Sequence, residues 1–244
     1  MGFWPFAAKA ATIKDSGMLA GSTDWHSHIL PGVDDGFKDP EKSLKAIDAL
    51  SALGVKKLWL TPHIMEDVPN ETDKLREKFE EFKQLYKGDV ELHLAAENML
   101  DILFEERLEK NDFLPLGETG NHLLVETSYF NPPMGMMRML EEVQSKGYFP
   151  VLAHPERYRY MDEKDYDRLK EAGIIFQANY FSMVGAYGET ARKKLDWLLK
   201  KGYIDMMGSD LHKLEVMAHV MESRPKSKAS LTAMAAVANN SHKL

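Results

Sequence analysis

The chain has 244 residues, a formal net charge of −7 and a sequence pI of about 5.7, which argues against a general nucleic-acid-binding protein. It contains no cysteine, so disulfides, thiolate metal ligands and a cysteine nucleophile are excluded. Any metal site must therefore use nitrogen and oxygen ligands. No apolar run approaches the roughly 18 residues of a membrane span, so we expect no direct membrane insertion. The absence of cysteine fits a reducing compartment, and we expect a cytoplasmic protein.

The first residues of the chain form an apolar segment, residues 2–11, which Lys9 interrupts. A secretory signal peptide carries positive charge ahead of its apolar run, and no basic residue precedes this one. We therefore predict that residues 1–22 are a lead-in, either poorly ordered or packed on the domain. Residues 23–244 are predicted to form a single domain.

Short apolar strands alternate with amphipathic helices along the rest of the chain. The first predicted helix begins at Asp39, a suitable N-cap followed by Pro40, and ends at Gly54. In chain order the predicted elements are strand 23–26, helix 39–54, strand 57–60, helix 71–86, strand 90–96, helix 101–109, strand 122–125, helix 136–146, strand 149–153, helix 163–172, strand 174–178, helix 189–201, strand 204–207 and helix 231–237.

This alternation is typical of βαβ units, which build parallel sheets. Seven strands predict an α/β fold of the distorted (β/α)7 TIM-like barrel type, one unit short of the common eight. A doubly wound open sheet is the alternative. In both architectures functional sites form outside the carboxyl ends of the strands, so the side chains at those ends indicate the chemistry.

Side chains that can bind metal ions follow six of the seven predicted strands at that end. They are His26, His28, Asp34, Asp35, His63, Glu97, Glu126, His154, Asp210 and His212. The sixth strand ends instead at Asn179, a polar side chain that we expect to contact substrate. Each residue alone is weak evidence, because an aspartate after a strand is often a turn residue or a helix cap. Their accumulation at one edge of the sheet predicts a shared metal site.

The spacing within two of these segments supports the metal interpretation. His26 and His28 are two residues apart, and so are Asp210 and His212, so in extended chain each pair points to the same side. Such a pair can bind one divalent ion or two adjacent ions. Imidazole and carboxylate together suit manganese, iron or zinc, and several cations would offset the repulsion among crowded carboxylates.

Four longer strings resemble a known family. They are DWHSHILPGVDDG (24–36), TPH (61–63), AHPERY (153–158) and SDLH (209–212). With residues 179–188, they are similar to the polymerase and histidinol phosphatase (PHP) superfamily. Within it they resemble the bacterial tyrosine-protein phosphatases of capsule and exopolysaccharide operons. The His-X-His start occurs in many metallohydrolases, whereas the LPGVDDG and HPERY strings are much more specific to this branch. The resemblance runs from about residue 23 to 240.

The resemblance implies a seven-stranded distorted barrel that holds three divalent metal ions, commonly manganese or iron. By motif, the first ion would be bound by His26, His28, Glu97 and Asp210, the second by Glu97 as a bridge with Glu126 and His154, and the third by Asp35, His63 and His212. Arg157 would face the substrate phosphate. Lys213 is a departure, since some relatives carry another histidine there.

The implied reaction is hydrolysis of a phosphate monoester by water that the ions activate, with Arg157 neutralising the phosphate. His63 or Asp35, acting through a water, would assist the leaving group. The implied substrate is a phosphotyrosine protein, the tail of a membrane-bound bacterial tyrosine kinase that governs polysaccharide export. A small-molecule phosphatase of the histidinol-phosphate type is the alternative. A nuclease-like module and a non-enzymatic metal-binding protein are disfavoured by the charge of −7 and by the complete ligand set.

Overall fold

The chain folds into parallel strands connected by helices, and the computed structural model describes residues 11–240. The strands are β1 (Thr23–Asp24), β2 (Lys57–Leu60), β3 (His63–Ile64), β4 (Glu91–Leu94), β5 (Glu97–Met99), β6 (His122–Glu126), β7 (Phe149–Ala153), β8 (Ile175–Asn179) and β9 (Met206–Gly208). The helices are α1 (Pro40–Ala52), α2 (Thr72–Leu85), α3 (Ile102–Lys110), α4 (Met136–Ser145), α5 (Glu163–Glu171), α6 (Glu189–Lys201), α7 (Leu214–Met221) and α8 (Lys228–Asn240).

All strand pairs are parallel, as the alternation of strands and helices predicts. The strands form two sheets, one in the order β1-β2-β4 and the other in the order β3-β5-β6-β7-β8-β9. The segments after β1 and around β9 also meet. The backbone N–H of Trp25 donates to the Met207 carbonyl, that of Asp210 donates to His26, and Ser27 forms a parallel bridge with Leu211. The parallel α/β class is therefore confirmed.

One predicted strand is divided, and another is followed by a second short strand. The strand predicted at 90–96 is broken between β4 and β5, where the Ala96 N–H leaves the ladder and donates to the Leu114 carbonyl. The strand predicted at 57–60 is β2, and the chain pairs again at β3 after Pro62. Proline has no N–H to donate to a ladder. Its carbonyl still accepts from the Glu97 N–H at 3.1 Å, so β5 begins beside it.

The helices begin and end close to their predicted bounds, and one helix was not predicted. Helix α1 is capped by the Asp39 side chain, which accepts from the Glu41 N–H, and has Pro40 in its first turn. The missed helix is α7, whose buried residues Met217, Val220 and Met221 lie three to four positions apart. No described helix combines the length and hydropathy that a membrane span requires.

The predicted lead-in is packed where the structure describes it. Ile13, Met18 and Leu19 are buried in the main hydrophobic core, and the Ile13 N–H donates to the Ser223 carbonyl. Residues 1–10 of the lead-in lie outside the described residues. The domain boundary at residue 22 stays a prediction.

The core has two parts. The larger part unites the buried faces of the helices with the sheets, and in α2 it includes Leu75, Phe79 and Phe82. The smaller cluster takes residues from or beside strands of both sheets: Trp25, Trp59, Ala95, Leu116, Leu124, Val151, Ala153 and Met206. With the strands held in this way, their carboxyl ends bring side chains that are far apart in sequence to one place.

Candidate metal centre

The nine side chains predicted as metal ligands converge at the carboxyl ends of the strands. They form four overlapping groups, within each of which the ligand atoms lie within 4.8 Å of one another. The groups are His26 with His28 and Asp210, His26 with Glu97 and His154, His63 with Glu97 and Glu126, and His28 with Asp35, His63 and His212. Asp34 is the tenth ligand-type residue that was predicted at the strand ends. It lies behind His28, with its Oδ2 2.7 Å from the His28 Nδ1.

Glu97 is at the centre of this cluster. Its carboxylate is fully buried, and Oε1 lies 2.9 Å from the His154 Nε2. The other oxygen, Oε2, lies 3.0 Å from the His63 Nδ1, 3.2 Å from the His26 Nε2 and 3.3 Å from the His28 Nε2. One carboxylate thus faces four imidazoles, as a ligand shared between metal ions would.

Several buried atoms of the cluster are close together without forming hydrogen bonds. The His63 Nδ1 lies 2.9 Å from the Glu126 Oε1, yet both atoms, and the Glu97 Oε2, have no hydrogen-bond partner among the described residues. Buried polar atoms without partners cost stability, and native proteins pair nearly all of them. Cations between these atoms would satisfy them, so the residues present fit a set of bound divalent ions.

Two of the candidate ligands have an unusual backbone conformation. His154 has φ of 36° and Asp210 has φ of 54°, in the left-handed region that non-glycine residues rarely adopt. Such residues cost on the order of 1–3 kcal/mol each and concentrate at functional sites. Backbone hydrogen bonds hold both in place: His154 donates to the Gln177 carbonyl and Asp210 to the His26 carbonyl.

The second nitrogen of three imidazoles is held by a neighbouring acceptor. The His26 Nδ1 lies 2.7 Å from the Gln177 Oε1, the His28 Nδ1 2.7 Å from the Asp34 Oδ2, and the His212 Nδ1 2.9 Å from the Asp210 carbonyl. Acceptors of this kind fix the ring orientation and leave Nε2 free for a metal. Gln177 is not among the residues predicted from the sequence, although its two-residue spacing from Asn179 in a buried strand places both on one face.

The charges of the cluster support one another. Burial opposes ionisation of Glu97 and Asp210, but His26 and its neighbours hold the pKa of both carboxyls well below the usual range. Burial and nearby His28 depress the pKa of His63, and the carboxylates of Glu97 and Glu126 outweigh them and raise it to about 10. Glu97 and Asp210 are therefore ionised at neutral pH.

Arg157 and Asn179 both hold the outer oxygen of Asp210. The Arg157 Nη1 donates to the Asp210 Oδ2 at 2.5 Å, and the Asn179 Nδ2 donates to the same oxygen at 2.8 Å. Asn179 is fully buried and its Oδ1 accepts from the Gln177 Nε2, so it lies behind Asp210. Its contact with substrate stays a prediction that this geometry does not favour.

A cleft of about 440 Å³ lies over the cluster. Its lining includes both candidate ligands and non-ligand side chains: Asp35, Arg157, Phe181, Tyr187, Asp210, Leu211, His212, Lys213 and Val216. Arg157 faces this cleft, while Asp34 and Gln177 lie behind the imidazoles. A ligand in this cleft would therefore lie beside the candidate metal ligands.

The family model for capsular polysaccharide synthesis proteins, CpsB/CapC, matches residues 22–232 of the chain. The chain belongs to this family. The matched segment contains every candidate ligand and Arg157. The resemblance of the sequence strings to the capsule and exopolysaccharide branch is thereby confirmed.

Curated relatives and a solved structure agree with the family assignment. The chain is 31% identical over 198 residues to the tyrosine-protein phosphatase YwqE of Bacillus subtilis, covering 79% of this chain and 78% of that protein. It is 28% identical over 205 residues to the tyrosine-protein phosphatase CpsB of Streptococcus pneumoniae, covering 79% and 83%. Its fold matches a crystal structure from a study of YwqE and CpsB, described as metal-dependent tyrosine phosphatases, with a TM-score of 0.72, 25% identity and coverage of 91% and 96%.

Proposed function

We propose that this protein is a metal-dependent protein-tyrosine phosphatase. The observation that carries the proposal is the convergence of nine imidazole and carboxylate side chains on one cluster, which is mostly buried and has Asp35 at its exposed side. The family supports the same reaction, since its members YwqE and CpsB are named tyrosine-protein phosphatases. A small-molecule phosphatase with the same ligand set remains the alternative that the experiment below must distinguish.

The proposal includes three divalent ions, manganese or iron with zinc as a further option. The first ion is assigned to His26, His28, Glu97 and Asp210, the second to Glu97, Glu126 and His154, and the third to Asp35, His63 and His212. One spatial group, His26 with His28 and Asp210, lies within the first set, and another is the third set with His28 added. The other two groups contain residues of the second set, one together with His26 and one together with His63. The central place of Glu97 supports its role as a bridge.

Ions bound here would polarise the phosphate and make water a nucleophile at neutral pH. The chain's own residues do the rest. Arg157 neutralises the phosphate from the cleft side, and Asn179 and Arg157 keep the Asp210 carboxylate oriented. A tyrosine leaving group, with a pKa of about 10, needs little help from an acid. His63 and Asp35, whose Nε2 and Oδ1 lie 3.5 Å apart, are also assigned to the third ion, so they would assist the leaving group through a water that this ion would make acidic.

The proposed partner is the phosphotyrosine-bearing tail of a bacterial tyrosine kinase that controls capsule or exopolysaccharide synthesis. An acidic chain of net charge −7 attracts a phosphorylated segment only where bound cations reverse the local field. A flexible tail can enter the cleft, whereas a phosphate on a rigid surface is held away from the cluster. Such a tail lies in the cytoplasm, so the proposal places this enzyme there.

We also infer that the two sheets close into one distorted seven-stranded barrel within a single domain that begins near residue 23. Counting β2 with β3, and β4 with β5, gives seven strand segments. The hydrogen bonds between the segments that contain Trp25 and Met207 support closure at the last edge. The smaller hydrophobic cluster, which draws on both sheets, supports a shared interior.

The test compares steady-state rates of the manganese-loaded protein on a phosphotyrosine peptide and on histidinol phosphate. We expect kcat/KM for the peptide to exceed that for histidinol phosphate by at least tenfold. Comparable rates on both substrates would remove the tyrosine assignment while leaving a phosphatase. No hydrolysis of either substrate by a metal-loaded protein would overturn the proposed function.

A further inference from the structure

The guanidinium of Arg157 is enclosed between two tyrosine rings. Its carbon lies 4.4 Å from the ring centre of Tyr129 and 4.3 Å from that of Tyr187, so each ring covers the guanidinium at cation–π distance. The three residues come from different connections: Tyr129 follows β6, Arg157 lies in the 3-10 turn after β7, and Tyr187 precedes α6. The enclosure is therefore a product of the tertiary fold.

The enclosure limits what Arg157 can bind. One of its nitrogens, Nη1, donates to the Asp210 Oδ2, and the other two make no hydrogen bond within residues 11–240. The two rings lie against the guanidinium carbon, and Arg157 lines the cleft, so a ligand in the cleft can reach these two donors. A planar fork of N–H donors matches the geometry of phosphate oxygens.

We propose that Tyr129 and Tyr187 are positioning residues that hold Arg157 ready for the phosphate group of the substrate. The proposal rests on the proposed function and names the residues that prepare Arg157 to recognise the substrate phosphate. An arginine side chain that is free to move loses much of its rotamer freedom when it binds a phosphate. The two rings and Asp210 restrict the guanidinium before binding, so a smaller part of this cost remains when phosphate arrives.

The two tyrosines differ in a way that provides a control. The Tyr187 hydroxyl lies 3.5 Å from the Asp210 Oδ2, whereas the Tyr129 hydroxyl makes no hydrogen bond among the described residues. Tyr129→Phe therefore keeps the ring over Arg157 and removes only a hydroxyl that makes no hydrogen bond among the described residues. Tyr129→Leu removes the ring. Tyr187→Leu is a second variant for the opposite side, should the first fail to fold.

The experiment measures binding of inorganic phosphate to the manganese-loaded protein by titration calorimetry. We expect Tyr129→Leu to weaken phosphate binding about tenfold and Tyr129→Phe to leave it unchanged, with equal metal content in both. In an Arg157→Ala background the same Leu substitution should add no further loss, because the cation on which the ring acts is gone. KM for a phenyl phosphate should rise in parallel with the phosphate Kd, while kcat changes less than threefold.

Two results would overturn this inference. Unchanged phosphate binding in both Leu variants would do so, even if KM for phenyl phosphate rose, since the rings would then contact the substrate's aryl group directly. A loss that persists in the Arg157→Ala background would also exclude action through the guanidinium. Because phosphate binding needs no turnover, these outcomes are separate from a failure of the proposed function, which would appear as absent hydrolysis by the wild type.

Discussion

Asp210 shows how one residue of this protein divides its contacts between two tasks. Its Oδ1 lies 3.3 Å from the His28 Nε2 and 3.4 Å from the His212 Nδ1, facing the cluster. Its Oδ2 accepts from Arg157 and Asn179 on the outer side. The backbone at this position is left-handed, with φ of 54°. Asp210, the proposed metal ligand, and Arg157, the proposed phosphate contact, are thus joined directly by a hydrogen bond.

Replacing Asp210 should therefore remove metal and activity together. In Asp210→Ala the imidazoles of His26 and His28 lose one of their two carboxylate neighbours and keep only Glu97, so we expect lower manganese content and no detectable turnover. Elemental analysis of the purified protein checks the first outcome. Asp48→Ala, which removes an exposed carboxylate of α1, is the matched control and should keep full metal content. A fully metal-loaded Asp210→Ala would contradict the ligand assignment.

Replacing Arg157 should separate metal binding from activity. Asn179 still holds the Asp210 carboxylate in Arg157→Ala, so we expect metal content near that of the wild type. Loss of the charge-assisted contact to phosphate should lower kcat/KM by about 100-fold, since such contacts contribute roughly 1.5–3 kcal/mol. Arg159→Ala, which removes a guanidinium stacked on the exposed Phe130, is the control and should leave the rate unchanged. Wild-type rates from Arg157→Ala would count against its role.

A buried histidine away from the cleft predicts part of the pH dependence of stability. His122 is 7% exposed, its Nδ1 has no partner among the described residues, and burial lowers its pKa from the ordinary 6.5. Below that pH the unfolded chain binds more protons at this position than the folded chain does. The free energy of unfolding should therefore fall as the pH drops from 7.5 to 5.5.

Urea unfolding at both pH values, with manganese present, tests this contribution. We expect His122→Gln to show a smaller fall than the wild type, since the neutral amide does not titrate. The exposed His219→Gln should show the same fall as the wild type. An equal pH dependence in all three proteins would exclude a contribution from His122.

At the scale of elements, the site depends on the close approach of β9 to the segment after β1. A Cβ built at Gly208 would lie 2.5 Å from the His26 Cβ and 2.8 Å from the His26 backbone nitrogen. The absence of a side chain here lets the strand that leads to Asp210 lie against the strand that leads to His26. A parallel pair in this register brings the two candidate ligands together.

Gly208→Ala should therefore displace His26 and damage the metal site. We expect overpacking to destabilise the fold by about 1–3 kcal/mol and metal content to fall with it. Gly202→Ala is the matched comparison, because a Cβ there meets nothing within 4 Å although φ is 70°. It should lose some stability through backbone strain and keep its metal. Equal metal content in both variants would show that the β1–β9 approach does not position the site.

The elements also show where sequence patterns are insufficient. Strand β7 and helix α6 have the bounds that the apolar pattern and the helical period predict. Helix α7 begins two residues after His212 and has only eight residues. A segment this short does not show a helical period clearly, so the sequence did not predict the helix. The division between β4 and β5 depends on which neighbour Ala96 meets, and that neighbour, Leu114, is a residue of another segment. Such boundaries follow from tertiary pairing, which local patterns do not contain.

At the scale of the whole molecule, binding of the proposed metal ions should contribute a large part of the free energy of unfolding. A ligand that binds only the folded state stabilises it by about 4 kcal/mol at a thousand times its Kd. Removal of the ions by a chelator should lower Tm on the order of 10 °C, since each kcal/mol corresponds to about 2–4 °C in a chain of this size. The physical reason is that buried polar atoms of the cluster have no hydrogen-bond partner among the described residues when the ions are removed.

Differential scanning calorimetry of the chelated and manganese-restored protein measures this effect. Restoration of manganese should recover Tm in the wild type and leave Asp210→Ala unchanged. Magnesium, which prefers oxygen ligands and retains its waters, should recover less than manganese in a cluster rich in imidazole. An identical Tm with and without chelator would mean that the cluster binds no stabilising ion.

The sequence by itself determined the chemistry of this protein. The alternation of strands and helices indicated parallel strands, and parallel strands place their carboxyl ends at one edge, so His26, Glu97 and Asp210 could be assigned to one cluster from their positions alone. The absence of cysteine limited that cluster to nitrogen and oxygen ligands. These conclusions need only local periodicity and a general rule of topology.

Only the tertiary structure decided what surrounds the cluster. The enclosure of Arg157 by Tyr129 and Tyr187, and the contact of Gln177 with His26, join residues that no local pattern relates. The place of Asn179 behind Asp210 was likewise decided by packing, although its position in the strand was predicted. A side chain's position along a strand follows from the sequence, but its neighbours follow from how the strands and their connections pack.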